Sequence, residues 1–351
     1  MRQTNVDALK IGDVLGKTIY SGKGRILLNQ GIKLTPGYIS KLREMGISIV
    51  YIEDERYDDV VIEDVISEQN RYEALVTIEK CSQLIRLGKD MDGLKLQSVV
   101  SNIVEEILFK KDILVNMMDM RSKSTQMFAH SVNVCVLATV LGKALMFNKE
   151  KLETLAAGAM LHDIGKVSLP PELFANMEHL TAEEEELLQT HTTLGFDFLR
   201  KKKEFTLMIA HIAFQHHECC DGSGYPRGLS EGEILPMAQI VAVADLYDNL
   251  TSDHSGMKRV MPNEACEILM GLAEKKFPLE FVRMFLKNIA AYPTGVTVRL
   301  STGEVGVVVD QNLSMPTRPI VRIFDEEFGV GKPKEYDLIE MRTIFINEVL
   351  N

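Results

Sequence analysis

The sequence has no apolar stretch long enough to suggest a membrane span. A transmembrane helix needs roughly 20 consecutive apolar residues, and this 351-residue chain contains no uninterrupted run of that kind. The first residues, MRQTNVDALKIGD, lack the basic and then apolar layout of a signal peptide. With 46% hydrophobic and 25% charged residues, the composition is that of an ordinary soluble protein. We therefore expect a cytoplasmic protein with no membrane partner.

Cysteine is scarce, and its distribution excludes two common uses. The five cysteines are an odd number without CxxC spacing, so neither a disulfide framework nor a zinc ribbon is indicated. We interpret them as reduced thiols. Cys219 and Cys220 leave one alternative open, because an adjacent pair beside two histidines could bind a soft metal or form a redox pair.

Basic residues are outnumbered, which bears on the class of partner. The chain has 39 Lys and Arg against 50 Asp and Glu, a net charge of −11, without a dense basic stripe. This balance argues against a long nucleic acid as partner. An acidic protein that acts on an anionic phosphodiester must supply positive charge locally, and bound metal cations are the natural source.

The pattern along the chain predicts a mainly α protein of several units, since single cores stop growing at about 250 to 300 residues. Residues 1–53 alternate β-like runs with glycine turns around one short helix, which begins at Thr35 and stops at Gly46. Residues 54–118 have two helical stretches, and their apolar stripe includes Val99, Ile103 and Ile107. These linking helices could transmit a signal or pair with a second subunit, so a homodimer stays open.

In the second half of the chain, the sequence pattern changes once from helical to β-like. Residues 119–290 have an almost wholly helical pattern, broken by turn clusters at SLPP and DGSGYPRG. Residues 291–351 have β-like runs with glycine and proline between them. We therefore expect a helical bundle with a small α+β N-terminal unit and a small β C-terminal unit.

Residues suited to binding metal occur in separated segments. The string HDIGK places His162 and Asp163 at the end of an apolar helical stretch, with Lys166 just beyond. About fifty residues later, HHECCDGSGYPRGL begins with His216 and His217. Asp245 directly follows a run of five residues without polar side chains. Because a bare buried carboxylate costs several kcal/mol, Asp245 should be paired, protonated or coordinated.

Taken singly, the histidines favour a structural role. His130 and His191 share a helix face with apolar residues, and a hydrogen-bonded core histidine is the ordinary explanation for that pattern. His216 and His217 are harder to dismiss. Neighbouring helical residues point about 100° apart, so this pair could reach two ions, or one ion and its surroundings.

Together, HDIGK, HHECCDGSGYPRGL and the Asp245 segment QIVAVADLYD resemble the HD-GYP branch of the HD phosphohydrolase superfamily, from about Ser124 to Ile289. The resemblance implies an HD-type helical bundle as the catalytic domain, which hydrolyses cyclic dinucleotides at a metal cluster. Five of the eight histidines and two aspartates fall on the family's ligand positions, and this joint agreement outweighs the structural explanations. The implied metal ligands are His130, His162, Asp163, His191, His216, His217 and Asp245.

The resemblance also implies two divalent ions bridged by Asp163. Mixed nitrogen and oxygen ligands suit iron or manganese, with zinc as a further candidate, better than magnesium. Such ions lower the pKa of water enough to produce a nucleophile at neutral pH. Asp163 and Lys166 are the catalytic candidates; Lys166 would stabilise charge on the phosphate, although a lysine near a helix end is often merely solvated.

Two segments define the expected substrate or partner surface. The loop with Gly224, Tyr225 and Pro226 borders the active site in the family and is linked there to contacts with GGDEF-domain proteins. Relatives often read TSDRPYR where this chain reads TSDHSGMKR, so His254 replaces an arginine and Lys258 follows close behind. A neutral histidine lacks the bidentate phosphate contact of arginine. Gln126 replaces a glutamate that holds a third ion in some members, so we expect two metals.

The leading hypothesis is a phosphodiesterase of bacterial second-messenger signalling that opens cyclic di-GMP to pGpG, with GMP as a potential further product. The altered TSDHSGMKR segment motivates an alternative, a non-catalytic receptor for the dinucleotide or a scaffold for GGDEF domains. A third hypothesis is an HD hydrolase of another nucleotide, such as cyclic GMP-AMP.

Overall fold

The N-terminal unit combines one helix with two small antiparallel sheets. The computed structural model describes residues 1–20, 26–116, 126–174, 179–252, 259–323 and 333–350. Its first elements are β1 (Arg2–Asn5), β2 (Ile19–Tyr20), β3 (Ile26–Leu28), α1 (Pro36–Glu44) and β4 (Ile49–Ile52), with β1 paired to β4 and β2 to β3. The predicted start of α1 is confirmed, because Thr35 Oγ1 accepts from the backbone N–H of Tyr38. The helix ends just before Gly46, whose φ is +72°.

Two helices follow and pack on the rest of the chain. Helix α2 (Glu68–Arg86) contacts α4, and α3 (Gly93–Phe109) contacts both α4 and α5, whose bounds are given below. The predicted apolar stripe of α3 is confirmed, since Val99, Ile103 and Ile107 are all buried. These two helices are amphipathic, and each buries its apolar face against neighbouring helices.

The helical bundle is built around α4. Its elements are α4 (Gln126–Ala144), α5 (Lys149–Leu161), α6 (Ala182–Gln189), α7 (His191–Leu199), α8 (Leu207–Gln215), α9 (Pro236–Thr251), α10 (Pro262–Leu272) and α11 (Leu279–Leu286). By length and composition the stretch Met127–Ala144 could cross a membrane, but 78% of it is buried inside the protein. Since α4 contacts α2, α3, α5, α9 and α11, these helices cover its apolar surface.

A five-stranded antiparallel sheet forms the C-terminal unit, in the order β8–β7–β6–β5–β9. The strands are β5 (Thr297–Leu300), β6 (Val305–Asp310), β7 (Ile320–Ile323), β8 (Lys334–Asp337) and β9 (Ile346–Leu350). The mainly α architecture with a small C-terminal sheet is thus confirmed. Strand β9, with the sequence INEVL, lies within the predicted β region 291–351 and forms one edge of the sheet.

The first and last units contact each other. The backbone N–H of Gln3 donates to the carbonyl of Gly295 at 2.8 Å, and Arg322 forms a bidentate ion pair with Asp59 at 2.6 Å. A small apolar cluster that includes Tyr51 and Val307 lies between them. The N-terminal unit is therefore attached both to the C-terminal sheet and, through α2, to the bundle.

The bundle depends on a close approach of α5 and α8. A Cβ built on Gly158 would lie 2.4 Å from Ile212 Cδ1 and 3.1 Å from Ile212 Cβ, whereas one built on Gly271 meets no atom within 4 Å. We expect Gly158→Ala to lower the free energy of unfolding by about 1–3 kcal/mol through overpacking. The matched control Gly271→Ala should raise it by up to about 1 kcal/mol through helix propensity. Urea unfolding followed by circular dichroism distinguishes the two, and equal effects would contradict the close approach.

Candidate metal centre

Helix ends deliver most of the candidate ligands to one place. His162 follows the last residue of α5, and His216 follows the last residue of α8. His191 is the first residue of α7, and Asp163 begins the 3₁₀ turn Ile164–Ser168. His130 and Asp245 lie within α4 and α9, which pack against each other. Because the chain turns at these helix ends, residues that are distant in the sequence lie close together.

The structure places the seven candidates in two adjacent groups. The first contains His130, His162 and Asp245, all buried, and the donor atoms of its members lie within 4.8 Å of one another. His130 Nε2 is 3.0 Å from Asp245 Oδ1 and 3.2 Å from His162 Nε2.

The second group contains Asp163, His191, His216 and His217, with the same 4.8 Å limit between donor atoms. His191 Nε2 lies 3.3 Å from Asp163 Oδ1 and 3.4 Å from His216 Nε2. His216 Nε2 lies 3.7 Å from the same carboxylate oxygen. All but His217 are buried, and His217 is half-buried.

Asp163 joins the two groups, one oxygen to each. Its Oδ2 lies 3.5 Å from His162 Nε2 and 3.7 Å from His130 Nε2, while its Oδ1 faces His191 and His216. Oδ1 is buried and has no hydrogen-bond partner among the residues that the structure describes. A buried carboxylate oxygen without a partner is costly, and a cation shared between the groups would satisfy it.

Hydrogen bonds at Nδ1 fix the orientation of the candidate ligand histidines. The Nδ1 atoms of His162, His191 and His216 each lie 2.7–2.9 Å from the carbonyl of the residue three positions earlier. A carbonyl only accepts, so Nδ1 carries the proton and Nε2 is left to face the centre. His130 differs, because its Nδ1 lies 2.7 Å from a side-chain oxygen, Oδ2 of Asp248.

The electrostatics suit cation binding. Burial alone would raise the pKa of Asp163, but Lys166 and the surrounding histidines outweigh burial and hold that pKa well below the usual range. Burial lowers the pKa of His191 to about 3 and also lowers the pKa values of His216 and His217. Burial acts in the same direction on His130, but hydrogen bonds to Asp245 and then Asp248 raise its pKa to about 9. Asp163 and the three histidines of the second group therefore have the protonation states that metal binding requires, whereas His130 would release a proton when a cation binds.

Gly165 explains why HDIGK can bring Asp163 so close to α7. A Cβ at this position would lie 1.9 Å from the carbonyl oxygen of His191 and 2.6 Å from the backbone nitrogen of Gly195. Only glycine permits this approach of two backbone segments. The 3₁₀ turn therefore packs directly against the helix that carries His191.

The loop after His217 closes one side of the second group. The ring of Tyr225 stacks on His217, with centroids 4.7 Å apart, and Tyr225 N donates to the carbonyl of His217 at 3.2 Å. Gly224 lies directly against the backbone of His217 and Cys219, and Pro226 follows through a cis peptide bond. The predicted segment is thus part of the wall of the site.

Other sequence-predicted residues are placed as follows. Lys166 Nζ donates to Asp163 Oδ2 at 2.5 Å, and its side chain is 19% exposed. Asp248 contacts His130, and Asn249 donates to Asp245 at 2.8 Å. His254 and Lys258 lie outside the described residues.

Sequence reasoning missed two buried polar residues beside the site. The carboxylate of Glu218 accepts from the backbone N–H groups of Arg227 and Leu229, both at 2.8 Å, which holds the Tyr225 loop in place. Asn133 donates to Asp248 at 2.9 Å. The available signals were the glutamate directly after the histidine pair and one amide inside the apolar string SVNVCVL.

The donor set fits a pair of divalent cations. Five imidazoles and two carboxylates form two groups that share Asp163, and its unpartnered oxygen lies between histidines. Mixed nitrogen and oxygen donors of this kind suit transition metals. The geometry alone therefore defines a candidate binuclear centre at the ends of α5, α7 and α8.

The seven candidate residues lie within a region that matches a known domain family. Residues 106–278 match the HD domain family, and residues 297–351 match a KOW domain associated with HD domains. The HD-GYP protein Bd1817 from Bdellovibrio bacteriovorus has a similar fold, with a TM-score of 0.51 and 19% identity over 81% of this chain and 97% of that one. HD-domain phosphohydrolases are metal-dependent, in keeping with the cluster.

Two curated relatives are closer in sequence. A cyclic di-GMP phosphodiesterase of Pseudomonas aeruginosa is 30% identical over 241 residues, 68% of this chain and 58% of the relative. A cyclic di-GMP phosphodiesterase of Thermotoga maritima is 34% identical over 184 residues, 52% of this chain and 50% of the relative. This chain thus spans little more than half the length of these relatives. The chain carries an HD domain over residues 106–278, in agreement with the resemblance noted in its sequence.

Removal of two central ligands tests the metal centre. We expect the double variant His162→Ala, Asp163→Ala to lose most bound metal, because it removes a ligand of the first group and the carboxylate shared by both. The helical circular dichroism should persist. The exposed His179 provides a matched control, and His179→Ala should keep its metal. Elemental analysis of manganese-reconstituted protein measures the difference; full metal content in the double variant would contradict the assignment.

Proposed function

We propose that this chain is a metal-dependent phosphodiesterase that hydrolyses cyclic di-GMP to linear pGpG, and pGpG further to GMP. The single observation that carries the proposal is the pair of buried donor groups joined by Asp163. The names of the two curated relatives support the choice of substrate. A phosphodiester is the kind of anion that an acidic protein can bind only where cations are concentrated.

The proposed cofactors are two divalent ions, iron or manganese, with zinc as a further candidate. His130, His162 and Asp245 would hold one ion, while His191, His216 and His217 would hold the other. Asp163 would contribute to both. When bound, such ions acidify water and neutralise phosphate oxygens. Imidazole-rich sites favour these metals over magnesium.

The chain's own residues then orient the substrate and complete its charge balance. The Lys166 ammonium group lies at the edge of the centre, partly exposed, 2.5 Å from Asp163. From this position it can donate to a non-bridging phosphate oxygen as negative charge builds up. The stacked pair His217 and Tyr225 forms a wall that limits where the substrate can lie.

Hydrolysis of cyclic di-GMP tests the proposal. Iron-, manganese- or zinc-loaded protein should convert cyclic di-GMP to pGpG, as followed by chromatography. We expect Lys166→Met to lower kcat by about 10²–10³-fold, because a preorganised charge contact in the transition state is lost. The exposed Lys203 provides the matched control, and Lys203→Met should leave kcat unchanged. The absence of product with all three metals would refute the proposal.

A second candidate function rests on the TSDHSGMKR segment, in which His254 stands where relatives have arginine. Loss of a bidentate phosphate contact would favour a receptor that binds the dinucleotide, or a scaffold for GGDEF domains, over an enzyme. Calorimetric binding of cyclic di-GMP without turnover would favour this function, and rapid turnover would exclude it. Preferential hydrolysis of cyclic GMP-AMP in the same assay would reassign the substrate.

A further inference from the structure

A chain of hydrogen bonds connects a metal-ligand candidate to helix α2. Arg71 Nη1 donates to Asn133 Oδ1 at 2.8 Å, Asn133 Nδ2 donates to Asp248 Oδ1 at 2.9 Å, and Asp248 Oδ2 lies 2.7 Å from His130 Nδ1. Asn133, Asp248 and His130 are all less than 10% exposed. Arg71 is half-buried and lies in α2, outside the matched HD domain, which begins at residue 106.

The chemistry of these groups allows only one arrangement of donors and acceptors along this series of hydrogen bonds. A guanidinium group only donates hydrogen bonds, so the side-chain oxygen of Asn133 must face Arg71. The amide nitrogen of Asn133 then faces Asp248, whose ionised carboxylate only accepts. Asp248 in turn requires a proton on Nδ1 of His130. The orientation of each group therefore follows from the one before it, starting at Arg71.

His130 needs this support more than the other ligand histidines with a described Nδ1 contact. His162, His191 and His216 are each oriented by a carbonyl of their own helix or turn, three residues earlier. His130 is instead oriented by the side chain of Asp248, whose second oxygen accepts a hydrogen bond from Asn133. Buried hydrogen-bond networks of this kind are strong only when every member is satisfied.

We propose that Arg71 is a positioning residue of the metal centre, which acts on His130 through Asn133 and Asp248. The proposal rests on the metal centre assigned above and extends that centre to a helix that precedes the HD domain. Packing agrees with it, since Ile78 and Ser82 of α2 line a pocket together with Asp163. Helix α2 thus reaches the site through Arg71 and also packs against the 3₁₀ turn Ile164–Ser168.

Manganese affinity in a double-mutant cycle tests the proposal on the whole 351-residue chain. Outer hydrogen-bond partners of ligand histidines typically contribute 10–100-fold to metal affinity. We expect Arg71→Met to weaken Mn²⁺ binding at one site by about tenfold, and Arg71→Lys, which keeps a donor, to restore part of this loss. Arg86→Met is the matched control, because Arg86 is exposed at the end of the same helix. It should bind Mn²⁺ like the wild type.

The cycle distinguishes action through Asn133 from a general effect on the fold. In the Asn133→Leu background, the further change Arg71→Met should have no additional effect on Mn²⁺ affinity, since the connection is already broken. Additive losses, or an unchanged affinity in Arg71→Met alone, would overturn the proposal. The absorption spectrum of Co²⁺-loaded protein gives a second readout, which should shift in Arg71→Met but not in Arg86→Met. Because neither readout uses cyclic di-GMP, a wild type that binds metal without hydrolysing it would contradict the proposed function alone.

Discussion

The buried carboxylate of Asp163 is the constraint on which the site depends. An ionised carboxylate removed from water costs several kcal/mol unless its oxygens find partners. Here Lys166 satisfies Oδ2, while Oδ1 faces His191 and His216 and has no hydrogen bond within the described part of the chain. Such a group is tolerated when a cation completes its surroundings. The helix ends of α5 and α8 and the start of α7 bring the other donors to this one side chain.

Backbone geometry allows that convergence. Gly165 lets the turn that carries Asp163 lie against the first residues of α7, where a Cβ would collide with the carbonyl of His191. Three histidines are oriented by carbonyls three residues before them, so local helix geometry already fixes their Nε2 atoms. His130 alone among the four depends on side chains from α9, α4 and α2. The orientation of three of the ligand histidines is therefore set by nearby backbone, whereas that of His130 is set by residues distant in the sequence.

The sequence was most informative where metal-binding types of residue stand at the ends of apolar helical stretches. Apolar helical stretches that end in HD or HH predicted both the bundle and the residues that the structure brings together, because a polar group at the end of a buried helix needs a partner. The pairing of β9 with β5 could not be predicted, since three other strands lie between them in the sequence. The contact of Arg71 with Asn133 joins residues 62 positions apart, and no local periodicity reports such a pair.

The most direct test of the account is a crystal structure of manganese-reconstituted protein, with anomalous scattering recorded at the manganese edge. We predict two anomalous peaks, one beside His130, His162 and Asp245 and the other beside His191, His216 and His217, with one Asp163 oxygen directed at each. A single peak away from Asp163, or no peak among these seven side chains, would contradict the central claim.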